Sequence, residues 1–330
     1  MVHRKPGARV LTVPASLETD GQPARLAVLG HPIAHSRSPR IHRAAYAQLG
    51  LPWRYTAVRI GEAGLERFLA TRGEEWRGFS VTMPLKTEAH RLSTVLDPVA
   101  RESGVVNTLF RLVGGGDAPA WAGFNTDVAG LAAALRTSGM RLSRTLILGA
   151  GATAVSAILA ARQLGAERVT VLARRPQAAM ALAERFDGTG AGGSPVQSPE
   201  DEPRGSATAG RGSFRVLGYG WAEFESEESV RAEVAAATAV ISTLPGDAGE
   251  RIALPAGLSA VPLFDVAYDP WPSPLAERWK AAGGEAHAGI DMLVEQALAQ
   301  VRIFVGGDPT FSLSDEARLL ATMRDAGVGG

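Results

Sequence analysis

Residues 144–176 read RTLILGAGATAVSAILAARQLGAERVTVLARRP, and this stretch decides the fold. It opens on a short apolar run stopped by glycine, the pattern of a buried strand. An alanine-rich segment follows, and alanine is the residue least costly to place in a helix. The β-branched run RVTVLA then closes the unit as a second strand. Strand, turn, helix and strand make a βαβ unit, whose two strands lie parallel in one sheet. The turn carries Gly149, Gly151 and Ala154 in a G-x-G-x-x-A spacing. In that context Gly149 permits the tight turn, Gly151 lets the backbone approach a pyrophosphate, and Ala154 lets the helix pack close to the sheet. The free N–H groups at the helix start favour phosphate. An acidic residue after the second strand would hold the ribose 2′-hydroxyl of NAD, but the chain has Arg174 and Arg175 there. Two guanidinium groups favour a 2′-phosphate, hence NADP over NAD.

Working outward, residues 235–246 and 261–270 supply two further strands, and 289–306 and 315–327 two helices. Upstream, ARLAVLG (24–30) reads as a buried strand and SPRIHRAAYAQLG (38–50) as a helix. Ser38 is placed to cap that helix, Pro39 suits its first turn, and Gly50 suits its end. Strands over 53–60 and 76–84, a helix over 64–72, and two strands at 102–114 and 120–127 separated by the turn GGGDAP follow. Strands alternating with helices place the chain in the α/β class. We expect two domains: an N-terminal α/β substrate domain over 24–130 and a Rossmann-type dinucleotide-binding domain over 131–287, with C-terminal helices over 288–330 packing back on the first. A loose tail covers 1–23. Residues 187–213, rich in Gly, Ser, Pro and charge, are expected to form a mobile surface insertion, because they hold too few apolar groups to offset ordering entropy.

Composition excludes several classes. Acidic and basic residues balance at 34 each, so no charge excess points to nucleic acid or an anionic membrane surface. The absence of cysteine excludes disulfides and thiolate chemistry. No apolar run reaches the roughly 18 residues of a membrane span. The N-terminus lacks the continuous apolar segment of a signal peptide. A cytoplasmic protein, monomeric or homodimeric, acting on a small molecule without a bound metal is the reading that remains. One bias sharpens the search for chemistry. Lys5, Lys86 and Lys280 are the only lysines in a chain that otherwise uses arginine. Arginine does not give up its proton, so a lysine near a site is a candidate for proton transfer.

Polar clusters stand at the expected ends of strands in the first half. They are Ser36 and Ser38, then Ser80, Thr82 and Lys86, then Asn107, then Asn125, Thr126 and Asp127. Loops at strand ends in open α/β sheets face a common crevice. Hydroxyls and amides there suit a small polyhydroxylated ligand, and an ammonium beside a carboxylate suits proton transfer. Taken singly, each has a plainer role: Ser36, Ser38 and Asp127 as helix caps, Lys86 as a solvated charge.

Taken together, GHPIAHSRSPRIH, GFSVTMPLK, GVVNTL, GFNTDVAG, LGAGATA, DVAYDPWPSPL and GIDMLVEQA resemble the shikimate dehydrogenases in order and spacing, from about Arg25 to about Gly306. The resemblance implies reversible NADPH-dependent reduction of 3-dehydroshikimate in aromatic amino-acid biosynthesis. It implies Lys86 and Asp127 as the catalytic pair, and Ser36, Ser38, Ser80, Thr82, Asn107, Tyr268 and Gln296 as substrate contacts. It implies cofactor contacts at Gly149, Ala150, Gly151, Ala152, Thr153, Arg174, Arg175, Thr243, Gly289 and Met292. The chain departs from the family where Ser80 replaces a usual asparagine. It departs again where Ala173, Arg175 and Ala178 replace an asparagine, a small hydroxyl residue and a second arginine. A quinate/shikimate dehydrogenase using NAD shares nearly all these motifs. A catalytically silent shikimate-binding regulatory relative would not need Lys86 and Asp127, and a dehydrogenase for another small acid would not need the serine pair.

Overall fold

The protein is described by a computed structural model, which describes residues 23–113, 119–188, 214–246, 248–253, 255 and 257–329. All but the last residue of the expected tail, most of the GGGDAP turn, and all but two residues of the expected insertion lie outside the described residues. The chain forms two units, residues 1–126 with 296–330, and residues 127–295. The first boundary falls before the expected 130/131 and the second after the expected 287/288. The chain passes from one unit to the other directly after Thr126 and again inside its longest helix.

The first unit holds β1 (Arg25–Gly30), α1 (Ser38–Gln48), β2 (Arg54–Arg59), α2 (Leu65–Ala70), β3 (Trp76–Val81), α3 (Lys86–Leu92), β4 (Val95–Leu96), α4 (Pro98–Ser103), β5 (Thr108–Leu112) and β6 (Ala120–Phe124). Its sheet runs β2-β1-β3-β5-β6-β4. β1 lies parallel to β2 and to β3, whereas β5 is antiparallel to both β3 and β6. All six residues of β3 are buried, as a central strand covered on both faces requires. Leu29, Phe79, Leu85, Leu109 and Trp121 fill one face of this layer.

The second unit holds α5 (Asp127–Ser138), β7 (Arg144–Leu148), α6 (Ala152–Gln163), β8 (Arg168–Ala173), α7 (Pro176–Phe186), β9 (Arg215–Gly220), α8 (Trp221–Ser226), α9 (Glu228–Ala235), β10 (Ala239–Ser242), β11 (Leu263–Asp265), α10 (Pro274–Ala281) and β12 (Ala286–Ala288). Helix α11 (Ile290–Gly306) begins here and ends in the first unit, where α12 (Glu316–Val328) packs on α1. The sheet is wholly parallel, in the order β12-β11-β10-β7-β8-β9. Strand order therefore reverses between β7 and β10, the switch point at which doubly wound sheets bind ligands. The alanines of α6 are mostly buried, which lets that helix lie close over the sheet.

Local differences from the sequence reading have physical causes. Arg37, not Ser38, is the N-cap of α1; Ser38 is already helical, and its N–H donates to Ser36 Oγ at 3.4 Å. β12 reads AHA and has no strand signal of its own; pairing with β11 creates it. β9 holds two glycines, yet pairs with β8 along its length. The first residues assigned to the insertion, Asp187 and Gly188, are built into the fold: Asp187 accepts from Arg215 Nε at 2.8 Å and from the Val216 N–H at 3.0 Å, and Gly188 N–H donates to Phe214 at 3.0 Å.

Gly149 shows how tightly the switch point is drawn. Its φ is +104°, and a Cβ there would lie 2.6 Å from Thr243 Oγ1. Gly149→Ala is expected to lower stability by about 1–3 kcal/mol, combining backbone strain with the clash. Gly165 has φ +86° with open space around it, so Gly165→Ala carries the strain alone, about 1 kcal/mol. Thermal unfolding of the two variants checks that ordering.

Candidate active site

Register brings the expected substrate residues to one edge of the first sheet. The parallel strands β1 and β3 end at Gly30 and Val81, and their exits lead to Ser36–Ser38 and to Thr82–Lys86. β5 runs the other way, so its start, Thr108, pairs with Ser80. β6 reverses again, and Phe124 at its end pairs with Thr108. Asn107, Asn125 and Thr126 therefore stand at the same edge as Ser80 and Thr82. The two exit loops touch: His31 N–H donates to Met83 O at 2.9 Å. A Cβ on Gly30 would lie 2.4 Å from Thr82 Cγ2, so only glycine permits this approach. Lys86 is the first residue of α3, half-buried, and its carbonyl accepts from Val106 N–H at 2.9 Å. That bond ties the lysine backbone to the residue before Asn107.

Asn107 is 2% exposed, so its amide must be satisfied from within. Its Oδ1 accepts from Thr126 N–H at 2.9 Å and from Thr108 Oγ1 at 2.8 Å. Its Nδ2 donates to Thr126 Oγ1 at 2.8 Å and to Gln296 Oε1 at 3.2 Å. Asn125 donates to Ser103 Oγ at 2.9 Å. Asp127, buried, follows Thr126 as the first residue of α5.

A second buried layer lies beneath. Tyr55 OH donates to Ser80 Oγ at 2.6 Å, and Ser80 donates to Gln300 Oε1 at 2.6 Å. Gln300 Nε2 donates to Thr108 Oγ1 at 2.9 Å and to Asn107 O at 3.2 Å. His42 stacks on Tyr55 with ring centroids 4.1 Å apart, and bonds Gln300 Oε1 and Tyr46 OH at 3.1 Å each. Burial lowers the His42 pKa to about 3, against a smaller opposing effect of its bond to Gln300. The ring is neutral, with Nε2–H donating to Gln300 and Nδ1 accepting from Tyr46. Burial also pushes both tyrosine hydroxyls up, so both stay protonated. Ser80 thus spends its proton and one lone pair inside the domain.

In the second unit the expected cofactor residues gather at the carboxyl ends of the parallel strands. Gly149–Gly151 follow β7, Arg174 and Arg175 follow β8, and Thr243 follows β10. Thr243 sits across the switch point, its N–H and its Oγ1 each donating to Leu148 O at 2.9 Å. Among the described residues, no atom beyond its immediate chain neighbours lies within 4 Å of where a Gly151 side chain would begin, so the backbone at the start of α6 is open to a ligand. Arg174 and Arg175 are exposed. These features fit a dinucleotide with a charged adenosine end. Tyr268 stands in this unit, on the loop after β11, apart in the chain from the other substrate residues. Asp265 shapes that loop: it accepts from Ser273 Oγ and from the Ala267 N–H, and burial raises its pKa. Gly289 N–H donates to Ala267 O at 3.1 Å, and buried Met292 lies in the first turn of α11.

Residues 28–109 match the family model described as the shikimate dehydrogenase substrate binding domain. A shikimate dehydrogenase (NADP(+)) of Anaeromyxobacter dehalogenans is 34% identical over 290 residues, covering 87% of this chain and 92% of that protein. The chain belongs to the shikimate dehydrogenase family. Among solved structures, shikimate dehydrogenase of Mycobacterium tuberculosis matches with a TM-score of 0.70 at 33% identity, over 92% of this chain and 100% of that one. The Thermus thermophilus shikimate 5-dehydrogenase, solved in complex with NADP(H) and shikimate, matches at 0.68 and 29% identity, over 92% of this chain and 99% of that one. The two-unit α/β architecture is that of these shikimate dehydrogenases.

His42, Tyr55, Thr108 and Gln300 escaped the sequence reading. Tyr55 and His42 look like ordinary core residues. Gln300 leaves a signal: it repeats Gln296 one turn later on a largely apolar helix, and residues four apart share a helix face. Burial of neutral His42 has a measurable sign. Its folded pKa lies well below the ordinary imidazole value of 6.5, so its contribution is complete above about pH 6.5 and is lost as pH falls towards 3. Between pH 7 and pH 5 this one group removes about 2 kcal/mol. Denaturant titrations at both pH values should find the wild-type loss larger than that of His42→Asn by about this amount.

Proposed function

We propose that the protein is an NADP-dependent shikimate dehydrogenase, interconverting 3-dehydroshikimate and shikimate. The observation that carries this reading is the buried Asn107–Thr126–Gln296 cluster at the sheet edge that also presents the serine pair and Lys86. Ser36 and Ser38 donate hydroxyl protons to the substrate carboxylate from the turn where α1 starts. Thr82, Asn107 and Gln296, with Tyr268, meet the ring hydroxyls. Asn107 and Gln296 are already oriented by fixed partners, and a ring hydroxyl at Asn107 Nδ2 takes the place of one of the two bonds that Nδ2 makes, to Thr126 or to Gln296.

Gly149–Thr153 and Thr243 would hold the pyrophosphate, Arg174 and Arg175 the 2′-phosphate, and Gly289 and Met292 would contact the nicotinamide end. When bound, NADPH supplies the hydride. Lys86 gives a proton to the substrate's developing C3 alkoxide and takes it back in the reverse direction. Asp127 orients Lys86 and the neighbouring hydroxyl. Proton transfer by a placed group is worth about 10²–10⁴ in rate. The same reading makes the protein a cytoplasmic one, a monomer or homodimer.

Purified protein should oxidise NADPH on addition of 3-dehydroshikimate, and Lys86→Ala and Asp127→Asn should each lower kcat by about 10²–10⁴ while shikimate still binds. Arg174→Ala should raise the KM for NADPH about tenfold, from loss of a charged hydrogen bond, and leave that for NADH unchanged. Turnover of quinate with NAD at a higher kcat/KM than shikimate with NADP would assign the chain to quinate instead. Full activity in both the Lys86 and Asp127 variants would refute the assigned roles.

A further inference from the structure

The amide of Asn107 has two ends, and substrate recognition depends on which end faces the ligand. Nothing in Asn107 itself decides this. Its partners do: the Thr126 N–H, which can only donate, takes Oδ1 at 2.9 Å, and the second donor to Oδ1 is set one layer deeper. Tyr55 donates to Ser80, Ser80 donates to the Gln300 carbonyl, and neutral His42 donates to the same carbonyl. With its oxygen so held, Gln300 can present only its amino group to Thr108 Oγ1, at 2.9 Å, and to Asn107 O, at 3.2 Å. Thr108 Oγ1 then accepts from Gln300, and its own proton goes to Asn107 Oδ1 at 2.8 Å. Oδ1 thereby gains a second donor beside the Thr126 N–H and is held as the inward end by both, and Nδ2 faces Gln296 and Thr126. Gln300 and Thr108 are 1% and 0% exposed, so neither touches a ligand itself. A half-satisfied chain here would leave buried donors unpaired, so its polarity is all-or-none.

We propose that Gln300 is a positioning residue for shikimate recognition, holding the Asn107 amide in orientation through the hydroxyl of Thr108, in concert with the Thr126 N–H. This rests on the reading of Asn107 as a substrate contact. Nothing in it depends on the cofactor residues.

The test uses the full-length protein with shikimate and NADP as the probes. Gln300→Met removes the amide at similar volume, Thr108→Val removes the hydroxyl at similar shape, and Thr108→Ser keeps the hydroxyl. Gln300→Met and Thr108→Val should each raise the KM for shikimate about tenfold and leave the KM for NADP within twofold. Thr108→Ser should stay near wild type, and the double variant should be no worse than the poorer single one, because both break one chain. A wild-type shikimate KM in Thr108→Val or in folded Gln300→Met, alongside a raised KM in Asn107→Ala, would overturn the positioning role and leave the substrate reading standing. A wild-type KM in Asn107→Ala would overturn the substrate reading and this role with it. If Gln300→Met does not fold, the Thr108 pair decides alone. Equal rises in the KM values for shikimate and NADP would mark a merely structural role and overturn the proposal.

Discussion

A carboxamide almost sealed from water must have every proton and lone pair placed, and Asn107 is that carboxamide. Four partners converge on it: the Thr126 N–H, the Thr126 and Thr108 hydroxyls and the Gln296 carbonyl. They come from the start of β5, the end of β6 and the middle of α11. The antiparallel turn of β5 and β6 is what brings the first two together, and it is the one departure from parallel pairing around β3. The return of α11 to the first unit supplies the last. The helix thus adds more than apolar cover: its polar face, Gln296 and Gln300, closes a network the sheet alone would leave open.

The second unit solves a different problem with simpler means. A phosphate needs free N–H groups and room, so the chain offers a glycine turn at the reversal of a parallel sheet and leaves the Gly151 position open. The guanidinium groups of Arg174 and Arg175, just after β8, are exposed. Solvent softens the contacts of such groups, whereas the buried amides of the first unit are held in one arrangement. The two units therefore differ in how their polar groups are held, the first in a preset buried network and the second in an open backbone turn beside exposed arginines.

Much of this was legible in the sequence because the responsible signals are local. The Gly149–Ala154 spacing, the apolar strands and the serine pair before Pro39 each act within a few residues. What was not legible depends on pairing across the chain. β12 exists because β11 lies beside it. Ser80 reads as a ligand contact from its motif, but Tyr55 and Gln300, distant in sequence, draw its hydroxyl inward. His42 sits in a plain helical pattern, and only burial against Tyr55 and Gln300 fixes its neutral state. Asp187 and Gly188, assigned to an insertion, are built into the fold, because Asp187 finds Arg215 and the backbone of β9.

The most direct measurement is a crystal structure of the protein with shikimate bound. The expected result places the carboxylate within hydrogen-bonding distance of Ser36 and Ser38 Oγ and a ring hydroxyl at Asn107 Nδ2 and Gln296, with the Thr108 and Gln300 bonds unchanged. Shikimate bound away from that sheet edge, or an Asn107 amide turned end for end to meet it, would contradict a preset network as the basis of recognition.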